Sequence, residues 1–474
     1  MKQAGSSDIF SIKYRLERLK RDSNKWSIFT LAIILFIALP VISIGVKLFA
    51  GPGETWGHIV DHLLPGYIGN SLFLVFVCSI LVFDYGGSMD LIFRWLGWDF
   101  IRIDIMNKTG LAFVLSISLF PYVYVSSRAF FLNQANNLLE ASKMLGVGEV
   151  RSFFKLMLPL ARPAIIAGLI LVLMEVLNDY GAAQYFGVNT FTTGIFRAWF
   201  SLEEPETAVY LSALLIVIVF ALILIEKWQR RNIKVSSSKS NITYIHRKKG
   251  SAWMQFFILL AVLIPVILGF FIPLVQLGYW AILTAHKVFN MDFLMLSLQS
   301  FGIAFITALI TVIVATLLIY FSKWSFLGFI KSIARLGILG YAIPGAVIAI
   351  GIMIPTLAFD KWLINTLDYL FSIKTGLLIN GPLVALVYAY CVRFLAVAFN
   401  PIESTSLKVN NTIPDSSKML GVGNLKTFFK IEFPLIKTGI FSALILVFID
   451  VLKELPLTLI LKPFHVNTLA VKAY

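Results

Sequence analysis

Four carboxylates in this sequence stand where carboxylates are costly. Glu175 and Asp179 lie four residues apart in one apolar run, and Asp450 and Glu454 lie four apart in another. A spacing of four puts each pair on one face of a helix. At 1.5 Å per residue, Glu175 lies roughly 20 Å beyond Arg162, inside a hydrocarbon core of about 30 Å, while Asp179 is nearer its outer edge. A carboxylate at that depth must face the interior of a bundle and be paired or hydrated. Two such pairs could draw a cation along a central path, or they could be structural ion pairs with Lys453 or Arg197. His58 and His62, with Glu54 and Asp61 nearby, have the i, i+4 spacing with which two histidines share a metal. They lack a firm third ligand, and Trp56, Ile59, Leu63 and Leu64 around them read as an amphipathic stretch at a membrane interface, so no metal site is expected. No Ser–His, thiolate or paired-carboxylate constellation points to catalysis by this chain. The string G-x4-G-K-[S/T] is missing, so nucleotide is not expected to bind here.

The elements that must position these residues are apolar helices. Hydrophobic residues make up 58% of the 474, charged residues only 14%, and the mean hydropathy is +0.85, a balance foreign to soluble domains. Runs at 27–47, 256–277, 301–322 and 378–399 each hold about 20 mostly apolar residues, the length of a spanning helix. Strand alternation is absent, so the expected fold is an all-α polytopic bundle rather than a barrel. Cys78 and Cys391 both sit in apolar runs and read as small core residues. The formal charge of +15 lies between the runs: one basic block precedes residue 27, and a second, at 227–249, holds eight Lys or Arg and no acid. This pattern suits the cytoplasmic face of a bilayer rather than nucleic acid, and it places the N-terminus inside. Residues 27–47 are too long for a signal-peptide core, and no small-residue cleavage site follows.

A Ser-rich segment at 235–241 divides the chain, and the halves share a repeat. Ser-Lys-Met-Leu-Gly-Val-Gly at 142–148 recurs letter for letter at 417–423, an offset of 417 − 142 = 275. Phe153-Phe154-Lys155 recurs at 428–430, Leu158-Pro159-Leu160 matches Phe433-Pro434-Leu435, and Arg162 matches Lys437, all at that offset. Four matches in one register indicate duplication. Each copy reads as two short helices joined at a glycine, Gly146 or Gly421, able to take a positive φ. The first copy opens on Glu140, Ala141 and Ser142 and closes on Leu158 and Pro159. The second opens on Asp415, Ser416 and Ser417 and closes on Ile431, Phe433 and Pro434.

These segments resemble the EAA loop of permeases of binding-protein-dependent ABC importers. The resemblance implies docking of two copies of a separate cytoplasmic ABC ATPase, one per loop, with ATP and Mg bound on that partner and no cofactor on this chain. It also implies a periplasmic substrate-binding protein and a place in the bacterial inner membrane. Glu140, Gly146, Pro159, Asp415, Gly421 and Pro434 would then transmit force. Tyr-Phe-Gly-Val at 185–188, Phe-Thr-Thr-Gly-Ile at 191–195, Gly-Tyr-Ala-Ile-Pro-Gly at 340–345 and Lys-Glu-Leu-Pro at 453–456 resemble the fused ferric-iron permeases. Fused thiamine permeases share the architecture. A secondary transporter with internal repeats and a truncated, non-functional product are the readings of other classes.

Residues 1–234 are thus expected to form the first repeat, with its loop at about 136–162; 235–250 a cytoplasmic linker; and 251–474 the second repeat, with its loop at about 401–437. Two departures from the family pattern stand out. From the Ser71 start to Gly146 the first half spans 75 positions, against 124 from Ser297 to Gly421 in the second, so the first repeat looks internally shortened. Its apolar run at 70–83, roughly 14 residues, is too short to cross. The basic first loop and the basic N-terminus also demand an even number of crossings between them, which leaves this run without an orientation. In the second repeat only six residues follow Val-Asn-Thr at 466–468, whereas the first has an apolar run at 208–224 after its copy, so the second is expected to lack its last span.

Overall fold

The computed structural model describes residues 25–47, 56–80, 106–144, 147–231, 251–325, 334, 337–371, 376–379, 383–409, 412–464 and 466–474. Every regular element among them is a helix. In chain order the main ones are α1 (Lys25–Lys47), α2 (Leu64–Ile80), α3 (Lys108–Met144), α4 (Leu158–Asn178), α5 (Gly181–Tyr185), α6 (Pro205–Arg231), α7 (Ala252–Val266) and α8 (Ile272–Val288). There follow α9 (Met291–Trp324), α10 (Gly345–Phe371), α11 (Val384–Ser406), α12 (Thr412–Met419), α13 (Phe433–Leu452) and α14 (Pro456–Leu461). Among the described residues nine helical stretches are long and apolar enough to cross a membrane. The all-α polytopic class expected from composition is therefore the class observed.

The helices gather into two compact units, and these are not the two sequence halves. One unit comprises residues 1–51 and 291–474, the other 52–290. The chain thus divides near residues 51 and 290, not in the Ser-rich linker. Helix α1, which opens the first half, packs within the unit of the second; α7 and α8, which open the second half, belong with the first.

In the 52–290 unit, α2, α3, α4 and α5 share a core of Leu74, Leu111, Ala112, Leu115, Val172, Val176 and Ala183. Phe191 N–H donates to Ser71 Oγ at 3.3 Å and fastens the short helix Phe191–Phe196 to α2. Helix α2 has 17 residues and is continuous, through a π-turn at Ile59–Leu63, with a helical turn at Trp56–His58, so the described helical stretch runs from Trp56 to Ile80. Helices α7 and α8 are joined by a π-turn at Ile267–Phe271 into one apolar rod, Ala252–Val288, whose side chains are largely exposed. Apolar side chains exposed along a spanning length belong in lipid.

In the other unit, the first two turns of α10 are the most enclosed: Ala346, Val347, Ala349, Ile350 and Ile352 are 0% exposed. Helix α1 lies against them, with Ser43 Oγ donating to the Gly351 carbonyl. Lower on α1, Trp26 packs 5.0 Å from Phe321 and 4.8 Å from Trp324 of α9. Leu469 N–H donates to Ser300 Oγ at 2.9 Å. This repeats the Ser71 tie and identifies Ser300, not Ser297, as its counterpart. By that correspondence α2 matches α9, α3 matches α11, α4 matches α13 and α5 matches α14. Among the described residues α10 has no counterpart in the first half. Residues 81–105, where the expected shortening would fall, lie outside those described.

Candidate functional site

The corner of the duplicated segment folds the same way twice. Helix α3 runs on past the apolar span to Met144, and a short helix, Glu149–Ser152, leads through a π-turn into α4. Val147 N–H donates to the Ser142 carbonyl at 3.0 Å, Ser152 N–H to the Gly148 carbonyl at 2.9 Å, and Ser152 Oγ to Ser142 Oγ at 2.9 Å. In the second copy Val422 N–H donates to the Ser417 carbonyl at 3.1 Å, Thr427 N–H to the Gly423 carbonyl at 3.0 Å, and the hydroxyls of Ser417 and Thr427 meet at 2.8 Å. All three contacts recur at the offset of 275. Both hydroxyl pairs are buried, so neither member can turn to water without opening the corner.

Gly421 takes φ = +74°, the left-handed conformation that lets the chain reverse between α12 and the short helix Asn424–Thr427. Gly146, its counterpart, lies outside the described residues, as do the side chains of Glu140 and Ala141, which are backbone positions in α3. Asp415 and Ser416 are exposed on α12, Leu158 and Pro159 are partly buried at the start of α4, and Phe433 and Pro434 are exposed at the start of α13. The corner of each loop also presents a bare apolar tip: Met144 is 89% exposed, Met419 91% and Leu420 83%. Helices that enter and leave each loop pack tightly. A Cβ on Gly168 of α4 would collide with α3 at Ser126, and one on Gly439 of α13 with α11 at Thr405.

The second loop is further tied to α9. Lys323 Nζ stands 3.0 Å from Oε1 of the buried Glu432, and Phe428 packs 4.5 Å from Tyr320. The residue matching Glu432 in the first loop is Met157, so this anchor is not duplicated.

The four acids occupy different surroundings. Asp179 and Glu454 are helix caps: Asp179 Oδ1 accepts from Ala182 N–H at 2.9 Å, and Glu454 Oε1 accepts from Leu457 N–H at 3.3 Å, again 275 apart. Asp179 lies just past its span, and burial pushes its carboxyl above the usual range; the Ala182 N–H opposes this and the charge of Glu175 adds to it. Asp450 pairs with Lys453 at 2.8 Å. Glu454 Oε2 stands 3.3 Å from Nε of Arg393, and both side chains are buried. Glu175 is partly buried in α4. Arg197 Nη2 donates to Asn189 Oδ1. The side chains of His58 and His62 lie outside those described, and among the described residues no three His, Cys, Asp or Glu are grouped to hold a metal ion. Sequence reasoning missed Arg393, although a single base inside an apolar run demands a buried partner and was a signal to look for one.

Loops of this kind, twice over on an apolar helix bundle, meet a matching family model. Residues 26–234 match the binding-protein-dependent transport system inner membrane component. Over this stretch the chain resembles that family. The permease is also similar to the Fe(3+)-transport system permease protein FbpB 2 of Haemophilus influenzae, at 26% identity over 398 residues, which cover 81% of this chain and 72% of that one. It is similar to the spermidine/putrescine transport system permease protein PotB of the same organism, at 28% identity over 148 residues, 28% of this chain and 51% of that one. A probable transport system permease protein, NifC of Clostridium pasteurianum, matches at 27% identity over 99 residues, 20% and 35% of the two chains. The permease is thus an inner-membrane component of a binding-protein-dependent importer, with a ferric-iron permease among its relatives.

Proposed function

We propose that the chain carries ferric iron across the inner membrane for an ATP-driven importer, receiving it from a periplasmic binding protein. Two copies of a cytoplasmic ATPase, with ATP and Mg bound there, engage the two loops. The observation that carries the partner reading is the repeated corner: the same hydrogen bonds, with Met144 in one copy and Met419 and Leu420 in the other standing almost wholly in solvent. An exposed apolar tip on a braced helical corner is suited to a groove on a soluble partner. Closing of the ATPase pair would draw the loops together and switch the path between inward and outward access.

The cargo reading is supported by the likeness to the ferric-iron permease over most of both chains. Glu175, Asp179, Asp450 and Glu454 are the proposed acids of the path. Glu175 and Asp450 lie within α4 and α13, whereas Asp179 and Glu454 follow those helices, so the deeper pair is the first choice for contact with a cation. The test uses the full chain with its ATPase and binding protein. Gly146→Pro with Gly421→Pro should abolish co-purification of the ATPase, and Glu175→Gln should cut uptake of radiolabelled ferric iron at least fivefold with the ATPase still bound. Unchanged ATPase binding in the proline variant would sink the docking assignment; thiamine uptake without iron uptake would sink the cargo.

A further inference from the structure

We propose that Arg393 is a positioning residue, which holds Glu454 between the starts of α14 and α10 so that the helices around the second loop move together. The pair is buried: Arg393 is 4% exposed and Glu454 6%. Its place in the fold is a junction. Arg393 belongs to α11, the helix that leads toward the second loop. Glu454 follows α13, the helix that leaves it, and caps α14 through Leu457 N–H. The start of α10 rests on both, since a Cβ on Gly345 would lie 2.5 Å from Glu454 Oε1 and closer still to Arg393 Nη1. One carboxylate therefore meets the positive ends of two helices and a guanidinium. A second tie lies one turn along each partner, where the hydroxyls of Tyr390 and Thr458 meet at 2.5 Å.

The guanidinium is not used to the full. Its Nε approaches Glu454 at 3.3 Å without hydrogen-bond geometry, and among the described residues Nη1 has no hydrogen-bond partner. An arginine retained only to stabilise a core would be a poor choice, because apolar side chains of similar size usually serve as well or better. The charge is therefore retained for geometry: it fixes where Glu454, and with it the start of α10, must sit. This rests on the importer reading for its consequence, but the geometry can be tested apart from it.

The decisive variant is Arg393→Met with Glu454→Leu, which removes both charges and leaves neither stranded; either change alone would strand a buried charge and lower the yield of folded protein. Spin labels at Asp368→Cys on α10 and Ser416→Cys on α12, with Cys78 and Cys391 changed to Ala, report on the junction in the purified full chain. The parent should give one narrow distance. The double variant should melt within a few degrees of it, retain the ATPase, show a broadened distance and lose at least tenfold in ferric-iron uptake, with partial recovery in the exchanged pair Arg393→Glu/Glu454→Arg. A distance as narrow as the parent's in the folded double variant would overturn the proposal whatever the cargo. If the parent itself moves no ferric iron, the cargo reading fails and the distance alone decides the role of Arg393.

Discussion

Ser142 and Ser417 were legible in the sequence as members of a repeated string, but their partners were not. Ser152 and Thr427 differ in letter while offering the same hydroxyl, so identity matching passes over them and only the fold brings them together. Arg393 was hidden differently: its run is apolar overall, and its acid is 61 residues away in sequence. The hydroxyl pair makes a clean prediction. Ser417→Ala and Thr427→Val should each cost about 1 kcal/mol, since each strands one buried hydroxyl. The double change should cost less than their sum, because it strands none. Thermal melting of the four forms measures the difference; strict additivity would mean that the two hydroxyls do not act on each other.

At the level of elements, apolar runs located the helices well and their ends poorly. The run at 378–399 predicted a helix beginning near 378, yet α11 starts at Val384 and continues to Ser406. Asp360 explains the late start: its Oδ1 accepts from Leu378 N–H and Ile379 N–H and turns the chain there. In the first loop the expected pair of short helices is one short helix and the tail of α3, because no breaker falls between Phe131 and Met144. The run at 70–83 is the instructive case. It does form part of a helix, α2, which continues the helical stretch from Trp56, and Tyr67 and Leu74 are buried in its own unit. The parity of the basic loops predicts that this stretch lies in the bundle without crossing alone. Single cysteines at exposed Gly66 and at Ser88 should be labelled by an impermeant maleimide from the same side of sealed vesicles; labelling from opposite sides would make α2 a span.

For the whole molecule, the repeat in the sequence and the packing in space divide the chain differently. Duplication was readable because the loops kept their letters, whereas the exchange of opening helices leaves no mark in composition: α1 is one apolar span among apolar spans. The exchange predicts that the two halves need each other. Cutting the chain within 235–250 and producing 1–240 and 241–474 separately should leave each half open to protease, while producing them together should restore protected, co-purifying halves. Full protection of either half alone would contradict the division into units.

The same exchange has a consequence in time. Helix α1 is made before its partners, which begin at Met291, 291 − 47 = 244 residues after its end. At about 5–20 residues per second, it waits roughly 12 to 50 seconds for them. A helix that must stand alone in lipid cannot carry a charge or an amide that only a later partner would satisfy. Beyond the first turn, where Ser27 waits for Ser325, the hydroxyls of α1 turn back on the helix itself, Thr30 to the Trp26 carbonyl and Ser43 to the Pro40 carbonyl, each at 2.8 Å. They are at home before α9 and α10 exist, and Ser43 can then reach out to Gly351 when α10 arrives.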